Sequence, residues 1–125
     1  MSKYLGIDYG TKKTGISLSD ENAEFAFPHG IVKTEDLVES VRVLTEQELI
    51  VGIVIGKSVA TNGEDNTLRS MVELFAKKIQ QYAPVYFEQE MFSSVEAHRY
   101  QTQKGDRDDS AAAIILQRFL DKKKK

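Results

Sequence analysis

Asp8 stands where a strand-like apolar run gives way to a glycine turn, in Tyr4-Leu5-Gly6-Ile7-Asp8-Tyr9-Gly10-Thr11-Lys12-Lys13-Thr14-Gly15-Ile16-Ser17-Leu18-Ser19. The segment reads as strand, tight turn, strand. In open α/β sheets, sites gather at the carboxyl ends of strands, and Asp8 holds that place. An acid there, beside a glycine turn, a hydroxyl and two lysines, suits metal-assisted chemistry on a phosphate. Thr11, Lys12 and Lys13 offer backbone N–H and ammonium groups that can hold a phosphate. The structural alternative is an Asp that bonds turn amides at a solvated hairpin tip.

Two more acidic groups lie far along the chain. Glu88 and Glu90 follow the apolar Val85-Tyr86-Phe87 and, two residues apart, share one face of an extended chain. Asp108 and Asp109 precede an Ala-rich helical stretch, where an Asp also serves as a cap and suits the helix dipole. Pattern alone does not choose within either pair. Carboxylates packed together repel one another, and a divalent cation relieves the repulsion. Mg²⁺ takes oxygen ligands and is held by one or two carboxylates plus substrate phosphate. Paired ions activate water and stabilise the leaving oxygen of a phosphodiester. Arg107 and Lys104 flank the last acids and suit contact with a nucleic-acid backbone.

Other chemistries drop out. The chain has no cysteine, hence no disulfide, thiolate zinc site or cysteine nucleophile. His29 and His98 are isolated, so no pair has zinc-hydrolase spacing. Gly56-Lys57-Ser58 looks like the tail of a P-loop. The full motif needs four residues between its glycines, and Gly52 and Gly56 are separated by three that belong to a strand. The formal net charge is -2, so contact with nucleic acid falls to local basic residues or metal ions. No apolar run reaches membrane-span length and no signal-peptide layout opens the chain, which reads as a cytoplasmic protein.

Patterning supplies the elements that must position these residues. Strands are predicted over Lys3–Asp8, Thr14–Ser19, Glu24–Val32, Ile50–Gly56 and Val85–Glu88. The almost unbroken apolar run of the fourth suits a strand covered on both faces. Helices are predicted over Glu35–Glu48, Asn66–Tyr82, Ser94–Gln103 and Asp109–Asp121. Leu68, Val72, Phe75 and Ile79 form a core stripe on the second, and Ile115, Leu116, Phe119 and Leu120 are its counterparts on the last. The order implies an antiparallel meander extended by parallel strands. One domain over 1–121 is expected, with 122–125 as a solvated basic tail.

The chain resembles the YqgF/RuvX family of RNase H-like proteins, known as pre-16S rRNA nucleases and Holliday junction resolvases. The likeness is carried by Leu5 through Gly15 to Leu18-Ser19-Asp20, by Val54-Ile55-Gly56 through Asn62-Gly63 to Phe75-Ala76, by Glu90-Met91-Phe92-Ser93-Ser94-Val95-Glu96-Ala97, and by Asp108 through Ala111-Ala112 to Leu120-Asp121. The resemblance implies an α/β, RNase H-like fold: a five-stranded mixed sheet of order 3-2-1-4-5 with helices on both faces. It implies Asp8, Glu90 and Asp108 as catalytic acids and ligands of Mg²⁺ or Mn²⁺, choosing Glu90 over Glu88 and Asp108 over Asp109. Thr11, Lys12, Lys13, Ser93 and Arg107 would contact nucleic acid.

The activity implied is endonucleolytic cleavage of structured RNA at the 5′ end of pre-16S rRNA, by a monomer or homodimer. Resolution of four-way DNA junctions is the alternative, and a non-catalytic RNA-binding assembly factor is another. Met91 stands where the family has arginine, and Lys57 and Ser58 stand where it has an apolar residue and proline. An Asp-x-Gly-Thr turn between strands also occurs in actin-like ATPases and sugar kinases, which use two such domains where this chain has length for one.

Overall fold

A computed structural model describes residues 2–58, 66–90 and 109–124. The strands are β1 Lys3–Asp8, β2 Lys13–Ser19, β3 Ala26–Lys33, β4 Ile50–Ser58 and β5 Val85–Glu90. A 3-10 turn, Thr34–Asp36, leads into helix α1, Leu37–Glu48. Helix α2 spans Asn66–Ile79 and helix α3 spans Asp109–Lys124. The expected helix over Ser94–Gln103 lies outside the described residues.

The five strands form one sheet in the order β3-β2-β1-β4-β5. β1 pairs antiparallel with β2, which pairs antiparallel with β3. β1 pairs parallel with β4, and β4 with β5. The expected meander with parallel additions is therefore present. β4, in the interior, is buried from Gly52 to Gly56, as its apolar run requires.

Each face of the sheet has its own core. Leu5, Ile7, Ile53 and Ile55 are fully buried among Leu37 and Val41 of α1 and Val72, Phe75 and Ile79 of α2. Each such aliphatic side chain contributes roughly 1.5–3 kcal/mol by leaving water. The other face packs Tyr4 and Val54 against Ile115, Leu116 and Leu120 of α3, with Phe119 alongside. The Phe119 ring lies 5.5 Å from that of Tyr4 and 5.1 Å from that of Tyr86. Two sequence expectations fail at α3. It continues past Asp121 through Lys124, and Lys122 is not part of a frayed tail: its ammonium lies 2.7 Å from Glu88. That contact, together with Lys123 Nζ over the Tyr4 ring at 5.6 Å, ties the last turn to the sheet.

The turn from β2 to β3 is closed by Asp20. Its Oδ1 accepts from the amides of Glu24 at 2.7 Å and Phe25 at 3.0 Å. These bonds, that of Phe25 foremost, hold its carboxyl below the usual range. On the far side of β3, Gln117 of α3 accepts from the Ala26 amide and donates to the Glu24 carbonyl, tying helix to edge strand.

Candidate active site

Strand alternation decides which residues can meet. The Gly6 Cα faces α3: a Cβ built there would touch Leu116 and the Ala112 carbonyl. Asp8, two residues on, shares that face. It is the last residue of β1 and is only 4 % exposed. Its antiparallel partner is Gly15. On the other flank Gly56 follows Ile55, the parallel partner of Ile7. Asp8 thus has a glycine beside it on both neighbouring strands, and neither adds a side chain to its row.

The same row continues to β5, since Gly56 pairs with Glu88. Cross-strand partners share a face, so Glu88 lies two strands from Asp8, roughly 10 Å between backbones. Glu90 pairs with Ser58 and sits one step further toward the strand end on that face. Its side chain lies outside the described residues.

α3 closes the arrangement. Ser17 Oγ donates to the Ala112 carbonyl at 2.8 Å, and Ser17 is the partner of Gly6. Further along, Phe119 packs on Tyr4. The helix therefore runs antiparallel to β1 and starts, at Asp109, toward the Asp8 end of the sheet. Three acid-bearing segments converge there: the end of β1, the end of β5 and the start of α3. Asp108, Ser93, Arg107 and Met91 lie outside the described residues. Among the described residues no three His, Cys, Asp or Glu side chains form a metal-holding group.

The turn after Asp8 is held by a small hydroxyl network. Thr14 Oγ1 accepts from the Gly10 amide at 3.3 Å and lies 2.9 Å from Thr34 Oγ1. Thr34 Oγ1 donates to the Gly10 carbonyl at 2.7 Å, and its amide donates to the Lys12 carbonyl at 2.8 Å. Thr34 had no signal in the sequence, because its partners lie twenty or more residues away. Thr11, Lys12 and Lys13 are exposed around this turn. Tyr9 turns to the opposite face, where its ring lies 5.4 Å from that of Phe75 and burial raises its phenol above the ordinary value. Its anchoring there keeps Asp8 pointing toward α3.

Glu88 is the acid that pattern left undecided. It is 4 % exposed, and its Oε2 accepts from Lys122 at 2.7 Å. The pair fastens β5 to the last turn of α3. We expect Lys122→Met to lower stability by about 1–3 kcal/mol, because a buried carboxylate loses its donor. Lys122→Met with Glu88→Leu should regain most of the loss. Urea unfolding midpoints report both; a single variant as stable as wild type refutes the anchoring role.

Residues 2–122 match the family described as RuvX: Holliday junction resolvase. A protein of Chlorobaculum tepidum named "Putative pre-16S rRNA nuclease" is 30% identical, over 95% of this chain and 93% of its own length. A relative of the same name from Bacteroides fragilis is 33% identical over 99% of both. Among solved structures, T. thermophilus RuvC in complex with a Holliday junction substrate matches with a TM-score of 0.66 at 17% identity, covering 99% of this chain and 96% of that one. The fowlpox virus Holliday junction resolvase matches with a TM-score of 0.56 at 15% identity, covering 98% and 99%. At these identities the structural likeness speaks for the RNase H-like fold, and the sequence matches along nearly all of the chain give the family: this chain belongs to RuvX.

Proposed function

We propose that this chain is a divalent-metal-dependent endonuclease of structured RNA that acts in the cytoplasm on the 5′ end of pre-16S rRNA. The observation that carries the reading is that the β1 end, the β5 end and the α3 start lie at one end of the sheet, the end that holds Asp8. RuvX membership and relatives bearing the pre-16S rRNA nuclease name support it. Asp8, Glu90 and Asp108 are the proposed catalytic acids. All are carboxylates, the hard oxygen donors that Mg²⁺ or Mn²⁺ prefers, and Asp8 is held out of bulk water. The bound ion supplies an activated water and charge stabilisation at the leaving oxygen.

The chain's own residues do the rest. Asp8 holds its place through the glycine-flanked row, and Thr11 and Lys12 steady the backbone of the substrate from the turn locked by Thr34. Ser93 and Arg107 complete the proposed contacts. The family description and the junction-bound RuvC neighbour favour a second substrate, a four-way DNA junction. Parallel cleavage assays on a 5′ pre-16S rRNA fragment and a four-way DNA junction, each with Mg²⁺, Mn²⁺ or EDTA, test the proposal. Metal-dependent cutting of the RNA is expected. Symmetric cutting of the junction alone moves the function to DNA. Binding without cutting on either one makes the chain a non-catalytic assembly factor.

A further inference from the structure

Resting on the nuclease reading above, we propose that Lys33 and Lys13 form a two-ammonium clamp for the substrate phosphates next to the one presented at Asp8.

The argument begins with register. Ser17 pairs with Pro28, but Ile16 pairs with Gly30, so His29 is an extra residue in β3. Such a bulge re-aims the side chains beyond it. Had the pairing of Ser17 with Pro28 continued unbroken, Lys13 would face Val32. The inserted residue instead places Lys33 directly opposite Lys13 and Val32 opposite Thr14. Val32 then packs against the core of the α1 and α2 face. Lys33 goes to the other face, which Gly15 and its partner Asp8 define. Both lysines lie about 7 Å beyond the Asp8 row along the strands, on the open end of the sheet.

Their surroundings fit a ligand role. Lys13 and Lys33 are exposed, and neither has an ion-pair partner among the described residues. Like charges directly opposite one another destabilise a strand pair. The fold keeps this repulsion in a chain whose net charge is -2, and an anionic strand is what relieves it. The mount is firm, because the Thr34 amide bonds the Lys12 carbonyl immediately beside both lysines. Two ammonium groups set side by side recognise a run of phosphates rather than base edges.

The test measures binding of the full chain to a fluorescein-labelled 5′ pre-16S rRNA fragment and to a labelled four-way DNA junction. Anisotropy is read in Ca²⁺ or EDTA from about 50 to 200 mM salt. Lys33→Ala and Lys13→Ala should each weaken binding several-fold at low salt. Each should also flatten the salt dependence by roughly 0.7–0.9 in log–log slope. Lys33→Arg should keep both values. Lys78→Ala, on exposed α2, should change neither. Lys33→Glu converts the repulsion to attraction, so it should melt at or above the wild-type temperature while binding less. A wild-type slope in Lys33→Ala overturns the clamp and leaves the nuclease reading standing. Lys33→Glu melting below wild type overturns the charge-pair argument, because lost binding would then report unfolding. No binding of either probe by the wild type sinks the clamp and the nuclease reading together.

Discussion

Asp8→Asn is expected to remove metal-dependent cleavage, by on the order of 10³-fold or more, while leaving the protein folded. A metal ion at a phosphoryl centre stabilises the transition state by several kcal/mol, and each 1.4 kcal/mol or so is tenfold in rate. Asn keeps the shape of Asp but gives up one anionic oxygen, the donor a hard cation needs. The residue is only 4 % exposed, so water does not readily take over its role. Leu5 and Ile7 hold β1 in the sheet from the opposite face, and the turn after Asp8 is tied by Thr14 and Thr34. A second readout separates metal binding from catalysis. A ligand that binds only the native state raises its stability. Thermal melts of the wild type should therefore rise with Mn²⁺, and those of Asp8→Asn should not. Cleavage retained in a pure Asp8→Asn preparation would remove Asp8 from the site. A metal response retained without cleavage would assign the ions to other ligands.

The parts of the fold written in local pattern were legible, and the parts written in register were not. The apolar run from Ile50 announces an interior strand because both faces of β4 must be covered. Val72, Phe75 and Ile79 announce a core-facing helix because their spacing matches its turn. Asp8 at a strand end before glycine marks a candidate site because chain reversal and an acid coincide there. Glu88 shows the limit. Alternation puts Glu88 and Glu90 on one face and cannot say which is occupied elsewhere. Only the contact with Lys122, 34 residues on, shows that Glu88 anchors α3. Lys122 itself reads as tail because a lysine run after an apolar helix carries no signal of its partner. Lys33 was hidden by the bulge at His29, since one inserted residue reverses the face of everything after it. Thr34 was hidden in the same way, by partners distant along the chain.

Gly6→Ala is expected to be the most destabilising of the small substitutions near the site. A Cβ at Gly6 would fall 2.3 Å from Ser17 Oγ, 2.7 Å from Leu116 Cβ and 3.0 Å from the Ala112 carbonyl oxygen. None of these atoms can step aside cheaply. Ser17 Oγ is engaged with the Ala112 carbonyl, Leu116 Cβ is fixed to the helix backbone, and the carbonyl is backbone. The remaining response is for α3 to lift from β1. That loosens Ile115, Leu116 and Leu120 over Tyr4 and Val54 and strains the Ser17 bond, worth about 1 kcal/mol. Overpacking of this kind costs about 1–3 kcal/mol and occasionally more. With the bond included, about 2–4 kcal/mol is expected, which is a fall in Tm of roughly 10 °C for a domain of this size. Activity should fall beyond what the melt explains, because the lifted helix begins toward the Asp8 end of the sheet, where the catalytic acids are proposed to meet. Gly52→Ala is the contrast. Its nearest contacts are the ring edges of Tyr4 at 2.5 Å and Tyr86 at 3.1 Å, ends of side chains that can tilt, so its loss in Tm should be smaller. Ser17→Gly introduced with Gly6→Ala should recover only part of the loss, since the Leu116 contact remains. Gly6→Ala melting within a degree or two of wild type would mean that α3 does not rest on β1 as closely as described, and the start of the helix toward the Asp8 end of the sheet would lose its support.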